Sequence, residues 1–104
     1  MSNSRVALVT GAAQGIGEAI SLRLADDPSG IDVTVSDIAA KKDQLDDLVK
    51  RIEAKGRKAL AIVLDVTSEE QVRAAVEKTV EVLGSLDIVS SIYGCRYNYV
   101  DVRQ

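Results

Sequence analysis

Val6-Ala7-Leu8-Val9 runs directly into Thr10-Gly11-Ala12-Ala13-Gln14-Gly15-Ile16-Gly17, and this junction decides how the rest of the chain is read. Four consecutive apolar residues predict a strand buried on both faces, as in a parallel sheet. Glycines then permit a tight turn and a close backbone approach. A helix opening at such a turn leaves N–H groups without partners, and its dipole favours an anion there. Strand, turn and helix in this order form the context in which a glycine-rich turn holds a pyrophosphate. A plain βα turn with incidental glycines is the bland alternative. A Walker A loop is excluded, because Glu18-Ala19 stands where a Lys-Ser/Thr pair is needed.

Outward from the turn, apolar runs alternate with helical patterns. Ile31, Val33 and Val35 alternate with polar neighbours, and Ala59 to Leu64 is a second continuous apolar run. Leu86, Ile88 and Val89 open a fourth strand. Leu45, Leu48, Val49 and Ile52 follow the i, i+3, i+4, i+7 spacing of one helix face. Val72, Ala75, Val76, Thr79, Val80 and Leu83 repeat that spacing, with Ser68 and Gln71 as a capping box and Gly84 as the closing glycine. Asp26-Asp27-Pro28-Ser29-Gly30 is turn chemistry. The order β-α-β-α-β-α-β predicts an α/β fold: a truncated, Rossmann-like, doubly wound parallel sheet of strand order 3-2-1-4. Residues 1–92 are expected to form this partial nucleotide-binding domain and residues 93–104 an irregular C-terminal tail.

Composition narrows the function. The 104 residues are 46% hydrophobic and 28% charged, which is globular usage. The only aromatics are three Tyr, so the core must be aliphatic. A net charge of −3 argues against nucleic acid or anionic lipid as the main partner. The absence of His removes His-based zinc sites and Ser-His-Asp triads, so no metal site is expected. The single Cys95 points to a reducing compartment. With no apolar stretch near the roughly 20 residues of a membrane span, the expected location is the cytoplasm.

Asp37 ends the second strand twenty positions beyond Gly17. A carboxylate there accepts hydrogen bonds from a ribose hydroxyl pair and repels a 2′-phosphate, so NAD is expected ahead of NADP. Lys41 and Lys42 soften that preference or belong to the solvated face of the second helix. Asp65 ends the third strand, where it is placed to reach an adenine edge or to serve as a turn residue.

Taken together, Thr10 to Gly17, Asp37, Asp65-Val66 and Leu86-Asp87-Ile88-Val89 resemble the short-chain dehydrogenase/reductase family over residues 5–89. The resemblance implies an oxidoreductase that moves a hydride between NAD(H) and a carbonyl or alcohol carbon. It implies cofactor contacts from Thr10, Gly11, Gln14, Gly15, Ile16, Gly17, Asp37, Asp65 and Val66. The family's Ser, Tyr and Lys catalytic residues have no counterpart here, so no catalytic residue is assigned. Where the family's fourth strand continues into Asn-Ala-Gly, this chain reads Ser90-Ser91-Ile92-Tyr93-Gly94, and only Gly94 matches. Tyr99 and Arg103 have Tyr-x-x-x-Lys spacing without a helical pattern, and Arg does not replace Lys in geometry.

The expectation is therefore a truncated or misspliced chain, inactive alone, that keeps the dinucleotide-binding half. A non-catalytic dinucleotide-binding module is the alternative. A third reading is an interaction module that self-associates or pairs through an exposed fourth-strand edge. An unrelated flavodoxin-like domain fits less well, because its phosphate loop is rich in Ser and Thr whereas Ala12-Ala13-Gln14 is not.

Overall fold

The computed structural model describes residues 5–28, 30–65, 67–90 and 100–101. The described elements are β1 (Arg5–Thr10), α1 (Gly15–Ala25), β2 (Ile31–Asp37), a 3-10 turn (Ala39–Lys41), α2 (Lys42–Glu53), β3 (Ala59–Val63), α3 (Glu69–Leu83), β4 (Ile88–Ser90) and β5 (Val100–Asp101). Strands β1 to β4 are mutually parallel where they pair, in the order β3-β2-β1-β4. This is the doubly wound architecture that the alternating pattern predicts.

The chain steps outward from β1 to β2 to β3, then returns to place β4 on the other side of β1. Such a reversal opens a crevice beyond the carboxyl ends of the strands. β1 shows why both faces must be covered. Ala7 and Val9 belong to a cluster with Ala25, Val33, Leu45, Leu48 and Ile52, on the α1 and α2 side. Val6 and Leu8 join Leu86, Val76 and Leu83 on the α3 side. Alternate residues of one apolar run thus feed two cores, as the period of two requires. Leu45, Leu48 and Ile52 are fully enclosed, and burial of each contributes about 1.5–3 kcal/mol.

Two apolar patterns are less buried than their sequence suggests. The run Ala59 to Leu64 reads as a strand covered on both faces, yet β3 is only half-buried and Val63 is 42% exposed. It stands at the edge of the sheet, with β2 as its one neighbour. In α3 the contact face is narrower than the spacing implies: Ala75 and Thr79 are buried, whereas Val80 is 45% exposed.

β2 departs in the opposite direction, since all seven of its residues are buried. Each polar one finds a partner far along the chain. Asp32 Oδ1 accepts from Lys58 N at 3.0 Å, and the Thr79 hydroxyl donates to Thr34 Oγ1 at 3.0 Å. The Ser36 hydroxyl donates to the Val9 carbonyl at 3.1 Å. Buried polar groups of this kind are tolerated because they are hydrogen-bonded. At the far end of β1, Val6 N–H donates to Asp87 Oδ2 and Asp87 N–H to the Val6 carbonyl, each at 2.9 Å, which fixes where β4 starts.

The edge of β4 is not left open as expected. Val100 and Asp101 form an antiparallel pair with it, Val89 opposite Val100 and Ile88 opposite Asp101. A two-residue strand satisfies backbone groups that an exposed edge would offer to another chain. The remainder of the expected tail 93–104, including Gly94, Cys95, Tyr99 and Arg103, lies outside the described residues, as do Ser29 and Val66. Among the described residues no helix is long and apolar enough to cross a membrane.

Candidate functional site

The carboxyl ends of β1, β2 and β3 converge on the glycine turn. Ala12 N–H donates to the Ser36 carbonyl at 2.9 Å, and Leu64 N–H to the Asp37 carbonyl at 3.0 Å. Thr10, at the end of β1, is buried. Gly11 and Gly15 both have positive φ, 65° and 63°, a region that disfavours residues carrying a Cβ. Gly17 needs its missing Cβ for another reason. A Cβ there would lie 2.0 Å from the Gly11 carbonyl oxygen, so the first turn of α1 packs directly on the turn that precedes it. At Gly15 the same construction meets nothing within 4 Å. The turn is therefore closed on the inside at Gly17 and open on the outside at Gly15, a cradle that a side chain would fill.

Gln14 is the N-cap residue of α1, but its side chain makes no capping bond. Its amide oxygen instead accepts from the Lys41 ammonium at 2.8 Å. Ile16 is 69% exposed at the mouth of the turn, and Ile38 is exposed directly after Asp37. Glu18, in the first turn of α1, pairs with Arg51 of α2 and locks the two helices side by side.

Asp37 is brought against the turn. Its Oδ2 accepts from Ala13 N–H at 3.1 Å and its Oδ1 from Ile38 N–H at 2.8 Å, with only 5% of the residue exposed. The acid at the end of β2 and the loop after β1 are thus a single hydrogen-bonded unit. Asp65 belongs to a different unit. Its Oδ1 accepts from the Thr67 hydroxyl at 2.7 Å and from Thr67 N–H at 2.9 Å. These bonds, the hydroxyl's first, hold its carboxyl below the usual carboxylate range. Asp65 N–H donates to Gln71 Oε1 at 2.7 Å. The Gln71 amide thus closes this loop rather than returning to the Ser68 backbone as a full capping box would, while Ser68 Oγ does accept from Gln71 N–H at 3.3 Å.

Of the residues singled out in the sequence, Thr10 to Gly17 and Asp37 lie together; Asp65 does not end the third strand as expected but lies two residues beyond β3, which stops at Val63, in the loop that leads to α3. Sequence reasoning missed Ala13 as the donor to Asp37, Ile38 as its exposed neighbour, and the placement of Lys41. Lys41 ends the 3-10 turn and reaches Gln14; only Lys42 sits on the solvated face of α2, paired with Asp46. The cue for Lys41 was its closeness to Asp37 in the chain, but no periodicity reports a contact to Gln14.

A family model described as short chain dehydrogenase matches residues 5–97. The L-2,3-butanediol dehydrogenase of Corynebacterium glutamicum is 42% identical over 86 residues, covering 83% of this chain and 33% of its own length. Among solved structures, a blue fluorescent protein from a metagenomic library, in complex with NADPH, superposes with a TM-score of 0.77 at 44% identity. That match covers 83% of this chain and 34% of the other. Carveol dehydrogenase from Mycobacterium avium, in complex with NAD, gives a TM-score of 0.77 at 29% identity and covers 86% of this chain and 35% of its own. The chain thus spans about a third of the length of the curated relatives it matches. A doubly wound sheet of the right strand order, the glycine turn at its switch point and a family match over nearly the whole sequence agree: the chain belongs to the short-chain dehydrogenase family.

Proposed function

We propose that this chain is the dinucleotide-binding portion of an oxidoreductase that transfers a hydride between NAD(H) and a carbonyl or alcohol carbon. The observation that carries the reading is the Asp37 carboxylate bonded to Ala13 N–H. It makes the pyrophosphate turn and the ribose-binding end of β2 one preorganised surface, so little ordering is required on binding.

The cradle fits the group. Gly11 and Gly15 let a pyrophosphate approach the backbone of Thr10 to Gly17, and the N-terminus of α1 favours its charge. Ile16 offers an apolar surface at the mouth of the turn. Asp37 accepts from the ribose hydroxyls, and its charge favours NAD over a 2′-phosphorylated dinucleotide. Asp65 would face the adenine edge. The bound nicotinamide supplies the hydride chemistry; the described residues bind and orient it, and none of them is assigned the proton transfer.

Titration of the 104-residue chain with NADH, followed by nicotinamide fluorescence, tests the reading. Saturable binding is expected. Gly15→Val should abolish it, because its side chain enters space that is empty in the structure. Asp37→Asn, which keeps an acceptor for Ala13 but loses the charge, should weaken it by about tenfold, equivalent to about 1.4 kcal/mol. A folded chain that shows no saturation would overturn the assignment.

A further inference from the structure

The two edges of the described sheet are finished differently. At one, β5 lies antiparallel against β4. At the other, β3 has β2 as its one strand neighbour. Its sequence, Ala59-Leu60-Ala61-Ile62-Val63, holds no charge or proline of the kind that blunts an edge. The pairing with β2 fixes which backbone groups face outward. Val33 N–H donates to the Lys58 carbonyl at 3.1 Å, and Leu64 N–H donates to the Asp37 carbonyl at 3.0 Å. Successive residues of a strand turn their N–H and C=O groups to opposite edges. Lys58, Leu60, Ile62 and Leu64 therefore serve β2, whereas Ala59, Ala61 and Val63 offer theirs to the open side. No side chain of β3 is fully buried.

We propose that the open edge of β3 docks a second copy of this chain, antiparallel, about a two-fold axis at Ala61. The charges that flank the strand select that occupant. Pairing about Ala61 sets Ala59 opposite Val63 of the second copy, and Arg57 opposite its Asp65. The symmetry repeats the match at the other end, so each end carries a cation facing an anion. Opposite charges directly across an antiparallel pair are favourable. Among the described residues Arg57 takes part in no ion pair, and its Nε donates to the adjacent Gly56 carbonyl at 3.2 Å. Thr67 engages only Oδ1 of Asp65. A carboxylate accepts at both oxygens, so it holds Thr67 and a guanidinium together. Only this register matches the charges and also pairs the outward groups of Ala59, Ala61 and Val63 in full. The assembly stops at two, because each copy uses its β3 once and β5 occupies the other edge.

The test is sedimentation velocity and amide hydrogen exchange on the 104-residue chain, from low micromolar concentration to about 1 mM. One strand edge is small against the roughly 1,600 Å² of a standard interface, so a weak, concentration-dependent dimer is expected. As concentration rises, the amides of Ala59, Ala61 and Val63 should gain about fivefold protection. Those of Leu60 and Ile62, already bonded to β2, should not change. Arg57→Glu sets like charges opposite each other at both ends and should raise the dimer Kd about tenfold. Adding Asp65→Arg to it restores the match and should recover the dimer. Ala61→Pro removes an outward N–H without touching the β2 ladder, so it should abolish the dimer and leave the circular dichroism of wild type. A chain that stays monomeric throughout overturns the proposal. So does a dimer whose Ala59, Ala61 and Val63 amides exchange as in the monomer, or assembly beyond two copies. If Ala61→Pro fails to fold, exchange on the wild-type chain still decides.

Discussion

The helices α1 and α3 both begin just past the carboxyl end of a parallel strand, yet their first turns are built in opposite ways. At α3 the chain supplies its own partners: Ser68 Oγ accepts from Gln71 N–H, Gln71 Oε1 accepts from Asp65 N–H, and Asp65 Oδ1 accepts from both donors of Thr67. At α1 no side chain caps the helix, the N-cap amide is turned toward Lys41, and glycines occupy the first and third helical positions. A helix start that binds itself is a structural device. One left without a side-chain cap, and braced by the Asp37 bond to Ala13, is suited to offer its backbone donors to an external anion.

The sharpest way to break this contrast is Gly17→Ala. The added Cβ would lie 2.0 Å from the Gly11 oxygen and 2.7 Å from its carbonyl carbon, both backbone atoms that no side-chain rotation relieves. A loss of about 3 kcal/mol is expected in urea unfolding, a large part of the stability of a small domain. A loss of only a few tenths would mean that close packing of the two glycines does not shape the start of α1.

Ser68→Ala probes the other helix. It should cost about 1 kcal/mol of stability, the usual value of an N-cap, and leave NADH affinity unchanged. A parallel fall in NADH affinity would make the α3 start part of the binding surface and erase the distinction.

The smallest effect is expected at Thr67. Because Thr67 lowers the folded-state pKa of Asp65, the associated stability is present above the unfolded value of about 3.9 and is lost as pH falls through the folded value. Thr67→Ala removes the hydroxyl donor, so NMR titration should show the Asp65 carboxyl moving up toward its ordinary range. The part of the stability difference from wild type that comes from this bond should fade as the solution is acidified below that range. A titration curve that does not move would leave the loop to the Thr67 backbone alone.

Much of this was legible from residue spacing. The run Val6 to Val9, the glycines at 11, 15 and 17, and the apolar positions 45, 48 and 52 are local patterns, and the structure uses them as written. Other features depended on distance along the chain. The partners of Asp32, Thr34 and Ser36 lie 26, 45 and 27 residues away, so nothing near β2 announces that its polar face is buried. Val80 fits the helical period, but the buried face of α3 runs through Ala75 and Thr79 and leaves it outside. Val63 lies inside an unbroken apolar run and is still exposed, because edge position is a property of the sheet rather than of the strand.

The sequence by itself determined the order of the elements from β1 to β4, the parallel sheet and the location of the glycine turn, since backbone sterics and hydrophobic period act over a few residues. Only the tertiary structure decided that Asp37 bonds to Ala13, that Lys41 bonds to Gln14, and that Val100 and Asp101 cover the edge of β4. Each of these joins segments that become neighbours only after the strands have paired. Hydrogen bonds and charges take the partners that packing puts within reach.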